Sequence, residues 1–253
     1  MEVFLYSIIF IIGTFFGSFF TLAVYRIPRK EDILIKHSYC PNCNHKLGFF
    51  DLFPVFSYIF LAGRCQYCKN KIRPRYLILE LLSGFSFLAL AIGIKISIFS
   101  WESILELVFL LIYVSILFII AGIDKEKIFI EKKVLFFGYA LNVLYIIYQY
   151  TLKGFNVYQY VMYLVLFLLS LCILNRFVKK KDYFVQNIYL CIYIIFFSGI
   201  KYIFTLILTL FVIMIYNRIF KKTKNTQIPV GFCLTISNIL TIIITNVVIN
   251  YIL

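Results

Sequence analysis

Apolar runs of membrane-crossing length recur along almost the whole of this 253-residue chain. They fall near 3–24, 77–97, 103–123, 134–151, 156–175, 184–200, 202–217 and 230–253. A helix needs about 20 apolar residues to cross the hydrocarbon core of a bilayer. Water offers these runs no refuge: the chain is 63% hydrophobic and 14% charged, whereas a soluble domain sits near 45–50% and about 25%. A water-soluble globule, a disordered chain and a short-period fibre are all excluded. Four of the five prolines lie in or at the edge of one polar stretch, 26–75, and Pro229 opens the last run. No run has a proline in its interior, as helices require. The sequence predicts an all-α membrane protein of about eight transmembrane helices. It divides into a first helix (1–25), a polar loop between helices 1 and 2 (26–75) and a seven-helix remainder (76–253).

Charge sets the expected orientation. The chain has 25 Lys and Arg against 11 Asp and Glu. In a soluble protein that excess would suggest nucleic acid. In a membrane protein it marks cytoplasmic loops, so lipid and not nucleic acid is the expected partner. Successive connections hold 10, 1, 4, 1, 4, 1 and 4 basic residues, so alternate loops carry 22 and 3. The predicted topology has both termini outside and the 26–75 loop in the cytoplasm. The first run is preceded by Glu2 and followed by Arg26, Arg29 and Lys30. This reverses the charge order of a secretory signal and predicts an uncleaved helix.

The loop contains CPNC and, 21 residues later, CQYC: Cys40, Cys43, Cys65 and Cys68. Two CxxC knuckles let four thiolates close on one tetrahedral ion, and zinc in a structural role is the expected occupant. Disulfides are disfavoured in a reducing cytoplasm, and a redox role would need only one CxxC; both remain as minor alternatives. His37 and His45 read as bystanders, because four sulfurs fill the shell. Cys172, Cys191 and Cys233 fall singly inside apolar runs and read as packing residues.

Four acidic residues lie at or within the runs: Glu80, Glu106, Asp124 and Asp182. A carboxylate there is costly unless paired, wet or protonated, which makes each a functional candidate. Asp124 ends the third run and Asp182 begins the sixth, both on the predicted cytoplasmic side. Two such aspartates can share a proton, one acting as base and one as acid. Ordinary interfacial charge clusters also look like DKEK and KKKD, so the residues alone leave both readings open. Glu80 is expected to pair with a loop cation such as Arg75; Glu106 and Glu102 read as interfacial.

The stretches GSFFTLAVYRIP (17–28), CPNC (40–43), DLFPVFSYIFLAGRCQYC (51–68) and KIRPRYLILELLSG (71–84) resemble, in order and spacing, the type IV prepilin peptidase family. IPVG (228–231) is similar to that family's Ile-Pro-Phe-Gly. The resemblance implies a bacterial plasma-membrane aspartyl endopeptidase that removes the leaders of prepilins or pseudopilins at the cytoplasmic face. It makes 76–253 the peptidase domain, with Asp124 and Asp182 as the catalytic pair. It also implies N-methylation of the new N-terminus from S-adenosylmethionine. Ile123-Asp124 fits the first catalytic motif. Asp182 follows Lys180 and Lys181 where the family has glycines, so a catalytically impaired homologue that binds or escorts pilin-like proteins is the alternative. A transporter would place polar residues at mid-span and repeat itself, and neither is seen.

Overall fold

The computed structural model describes residues 2–33, 37–97, 99–153, 157–220 and 228–251. The apolar runs become helices at nearly the expected limits: α1 (Glu2–Arg26), α3 (Arg75–Gly93), α4 (Trp101–Lys127), α5 (Lys132–Lys153), α6 (Val157–Phe177), α7 (Lys181–Ser198), α8 (Tyr202–Phe220) and α9 (Val230–Tyr251). A short helix, α2 (Phe56–Phe60), lies within the polar loop. Among the described residues, six segments are long and apolar enough to cross a membrane. One of them, 181–219, contains both α7 and α8, and the 161–177 part of α6 is apolar but shorter. The division near Lys201 is real. Gly199 takes φ 55° and ψ −133° at the end of α7, a backbone region open chiefly to glycine, and a short 3-10 turn over Gly199–Lys201 separates the helices.

Residues Met1–Ile96 form one compact unit and Ser97–Leu253 a second. In the first, α3, which the sequence division grouped with later helices, packs along α1. Small residues allow this. A Cβ added at Gly13 would lie 2.8 Å from the Gly84 Cα, and one at Gly17 would lie 2.6 Å from the Glu80 Cα. Gly13 and Gly17 stand four residues apart on one face of α1, the spacing that lets helix backbones approach closely in lipid. Replacing Gly17 by leucine forces the pair apart; the expected cost is about 1–3 kcal/mol, measurable as a lower unfolding midpoint in detergent.

In the second unit α4 packs on α5 and α9, α7 on α5, α6 and α9, and α8 on α9. In helix α4, Tyr113, Val114, Leu117, Ile120 and Ile123 are all enclosed. Polar side chains inside the unit bond to one another. The Tyr113 hydroxyl donates to Asn238 Oδ1 at 2.7 Å, and Asn238 Nδ2 donates to Ser198 at 2.8 Å and Thr205 at 3.0 Å. The Tyr113 ring also stacks on Phe197 at 3.6 Å. These bonds tie α4, α7, α8 and α9 at one level, where burying unpaired polar groups would otherwise be costly.

Candidate functional site

Two sites stand out, one in each unit. In the first unit the cysteine knuckles repeat the same backbone geometry 25 residues apart. The Cys40 carbonyl accepts from Asn44 N–H at 2.8 Å, and the Cys40 N–H donates to the His45 carbonyl at 3.0 Å. Cys65 makes the equivalent bonds to Lys69 (3.0 Å) and Asn70 (2.9 Å). Asn44 and Lys69 both adopt left-handed backbone, with φ 55° and 58°. Isolated antiparallel bridges, Tyr39 with Lys46 and Arg64 with Lys71, close the two turns.

This folding brings all four sulfurs within 4.8 Å of one another. Cys40 and Cys68 Sγ are 3.8 Å apart. A tetrahedral ion with metal–sulfur bonds of about 2.3 Å has sulfur–sulfur edges of about 3.8 Å, so the cage fits zinc. Burial pushes the Cys40 thiol up, but hydrogen bonds from the Cys43 and Asn42 backbone outweigh it and hold the group down to about 7. At Cys68 a bond from the Asn70 backbone acts downward; burial and the other three thiols prevail and raise it to about 11. His45 is exposed and its ring lies 3.5 Å from that of Tyr67. His37 is exposed too. Neither belongs to the four-sulfur group.

The second site centres on Asp124. Helix α4 runs four residues past the end of the apolar run and stops at Ile128, whose left-handed backbone (φ 52°) returns an N–H to the Asp124 carbonyl. The Asp124 carboxyl is fully buried. Its Oδ2 accepts from the Tyr183 hydroxyl at 2.8 Å and from the Phe232 N–H at 2.7 Å. The Gly231 N–H donates in turn to the Tyr183 oxygen at 3.2 Å. The first backbone amides of α9 thus point their positive end at the carboxylate. Gly231 leaves room for this approach: a Cβ there would sit 3.0 Å from Asp124 Oδ2 and 3.1 Å from Ile130 Cδ1, so one of those side chains would have to give by a few tenths of an ångström. Ile130 is fixed by its N–H donating to Gln186 Oε1 at 2.9 Å. The other carboxylate oxygen, Oδ1, is buried and has no hydrogen-bond partner among the described residues.

Asp182 lies in the first turn of α7 and is exposed. The structure does not bring its carboxylate to Asp124. Its neighbour Tyr183 makes that contact, because successive residues of a helix point about 100° apart. Sequence reasoning missed Tyr183, one of 20 tyrosines in the chain and with no local motif to mark it. Removing its hydroxyl (Tyr183→Phe) strips one donor from the carboxylate and leaves the Gly231 N–H unpaired. A loss of about 1–3 kcal/mol is expected, and chemical denaturation in detergent would measure it.

The remaining acidic candidates are structural. Glu80 is buried, and its Oε2 accepts from the Val55 N–H at 2.8 Å, with a further bond from the Ser18 hydroxyl. The sequence suggested Arg75 as partner; the Arg75 guanidinium lies over the Tyr76 ring at 5.3 Å. Glu102 is exposed in the first turn of α4, whose N-cap is Ser100, its side chain accepting from the Ser103 N–H. Cys191 and Cys233 are buried as expected, whereas Cys172 is exposed.

The fold and the two sites define a multi-pass helical membrane protein with a four-cysteine cluster between its first two long helices. Residues 11–94 match the family model described as the Bacterial Peptidase A24 N-terminal domain. The chain is 34% identical over 131 residues to a prepilin leader peptidase/N-methyltransferase of Bacillus subtilis, covering 52% of this chain and 50% of that protein. To the protein of the same name from Myxococcus xanthus it is 35% identical over 118 residues, 47% of this chain and 33% of that protein. To that from Vibrio cholerae it is 38% identical over 87 residues, 31% and 34% respectively. The chain thus spans about half or less of the curated relatives it matches. No solved structure matches it.

Proposed function

We propose that the protein is an intramembrane aspartyl endopeptidase that removes leader peptides from type IV prepilins or pseudopilins at the cytoplasmic face of a bacterial plasma membrane. The observation that carries this reading is the Asp124 carboxyl: wholly buried at the end of a membrane helix, with one oxygen held by two donors and the other bare. Proteins keep such a group where they need it oriented. The relatives reported above are named prepilin leader peptidase/N-methyltransferases, which supports the leader-peptidase part of this reading.

In this reading Asp124 and Asp182 form the acid–base pair. One carboxylate takes a proton from water, the water oxygen attacks the scissile carbonyl carbon, and the other carboxyl protonates the departing nitrogen as the C–N bond breaks. Asp124 presents Oδ1 to the reacting water while Tyr183 and Phe232 fix Oδ2. Asp182, one residue from Tyr183 in the first turn of α7, would supply the second carboxyl. Zinc held by Cys40, Cys43, Cys65 and Cys68 takes no chemical part, since four sulfurs leave it no open position. N-methylation from S-adenosylmethionine rests on the relatives' names. The open cleft of about 370 Å³ between Tyr58 and Pro74 is lined by Arg64, Lys71 and Arg73. Those cations oppose a sulfonium, so the cleft is a poor fit for that donor and no step is assigned there.

One observation favours a second reading, a catalytically impaired homologue that binds or escorts pilin-like proteins. Asp182 is exposed and preceded by lysines, whereas Asp124 is fully buried. Co-expression with a type IV prepilin, following loss of the leader by gel shift, separates the two. Cleavage supports the peptidase, and intact prepilin that co-purifies with the protein supports the escort.

A further inference from the structure

The segment between the two cysteine knuckles does not behave as a soluble loop. Residues Phe49, Phe50, Phe56, Ile59 and Phe60 are 54–87% exposed, a contiguous apolar group far denser than scattered surface hydrophobes. The segment is nevertheless fixed, and fixed against membrane helices. The Phe53 ring meets the Phe15 ring of α1 edge-on at 5.4 Å. The Val55 N–H is held by Glu80 of α3. Val55 itself adopts φ 63° and ψ −52°, and the Phe56 N–H closes back on the Pro54 carbonyl at 2.6 Å. That is a tight three-residue turn in a conformation unfavourable for a β-branched residue, and the buried carboxylate of Glu80 stabilises it.

The helices give the depth. Glu80 lies five residues inside α3 from Arg75, about 7–8 Å at 1.5 Å per residue. Its Cα faces Gly17 of α1, nine residues before Arg26 and within the apolar run. The turn at Val55 is therefore level with apolar helix, not with the helix ends. The flanks are basic: Lys46 precedes the segment, and Arg64, Lys69, Lys71, Arg73 and Arg75 follow it. An aromatic face bordered by cations at that depth has the composition and position of an element lying in the headgroup–acyl boundary, where such faces sit about 5–10 Å deep.

We propose that residues 49–60 dip into the lipid bilayer, with Phe49, Phe50, Phe56, Ile59 and Phe60 among the acyl chains and the flanking cations on anionic headgroups. The four-cysteine loop is then pinned to the membrane surface at its middle as well as at its two ends. This assignment does not depend on the peptidase reading. The chain carries a single tryptophan, Trp101. In a Trp101→Phe background, Phe50→Trp, Phe60→Trp and, as control on the first knuckle, Asn42→Trp are reconstituted into vesicles of phosphatidylcholine and phosphatidylglycerol. Zinc content verifies that each loop is folded. For Phe50→Trp and Phe60→Trp the expected result is blue-shifted emission, quenched several-fold by lipids brominated near the carbonyl end of the chain and little by aqueous acrylamide. Asn42→Trp shows the reverse. Acrylamide quenching of all three alike overturns the proposal in favour of a solvated loop. Protection from both quenchers overturns it in favour of a protein cover.

Discussion

Asp124→Asn is expected to abolish leader cleavage, lowering the rate by about 10³-fold or more, as removal of an acid–base group does. The asparagine keeps the size of the side chain and can still accept from Tyr183 and Phe232, so folding should survive; unfolding in detergent checks this. Asp182→Asn tests the second half of the site. A comparable loss establishes the pair. Retained cleavage moves the second acid elsewhere, and no cleavage by the unsubstituted chain on several prepilins leaves the escort reading. Because the paired groups act as a unit, the double substitution should cost little more than either single one.

The second large effect is expected at the cysteines. Cys40→Ser, or treatment with a strong chelator, should take bound zinc from about one ion per chain to none and release residues 37–72 to proteolysis. This stretch has only isolated bridges, short turns and the five-residue helix α2 of its own. Structural zinc supplies on the order of 10 kcal/mol in small domains of this kind, more than such a loop can gather by packing. Metal analysis and limited proteolysis measure the two effects separately. Loss of metal without proteolytic release would mean that the contacts of Phe53 and Val55 with α1 and α3 hold the loop alone.

Much of this was legible from the residues. Apolar runs gave the helices to within a few positions, because a membrane leaves backbone groups no partner but their own helix. The spacing of Cys40, Cys43, Cys65 and Cys68 announced one cage, and the structure brings the four sulfurs together. Asp124 was visible as a carboxylate in an apolar context. What holds it was not. Tyr183 differs from its many fellow tyrosines only by the direction in which one helical turn points it, and that direction is set by packing. The partners of Glu80 escaped for a related reason: backbone N–H donors such as that of Val55 occur at nearly every residue, and the sequence does not mark the one that a fold delivers. Gly13 and Gly17 carry a regular spacing, but only the opposing Gly84 and Glu80 turn that spacing into a seam.

The seam also orders the birth of the molecule. Helix α1 leaves the ribosome with its glycine face bare, and the surface complementary to it is not made until the entire polar stretch and then α3 have followed. During that interval nothing in the emerging chain can cover Gly13 and Gly17 except lipid or another copy of α1. The turn at Val55 must wait as well, since the carboxylate that steadies it belongs to the later helix. The backbone bonds that close each knuckle lie within it, from Cys40 to His45 and from Cys65 to Asn70, so metal capture can precede the docking of α3.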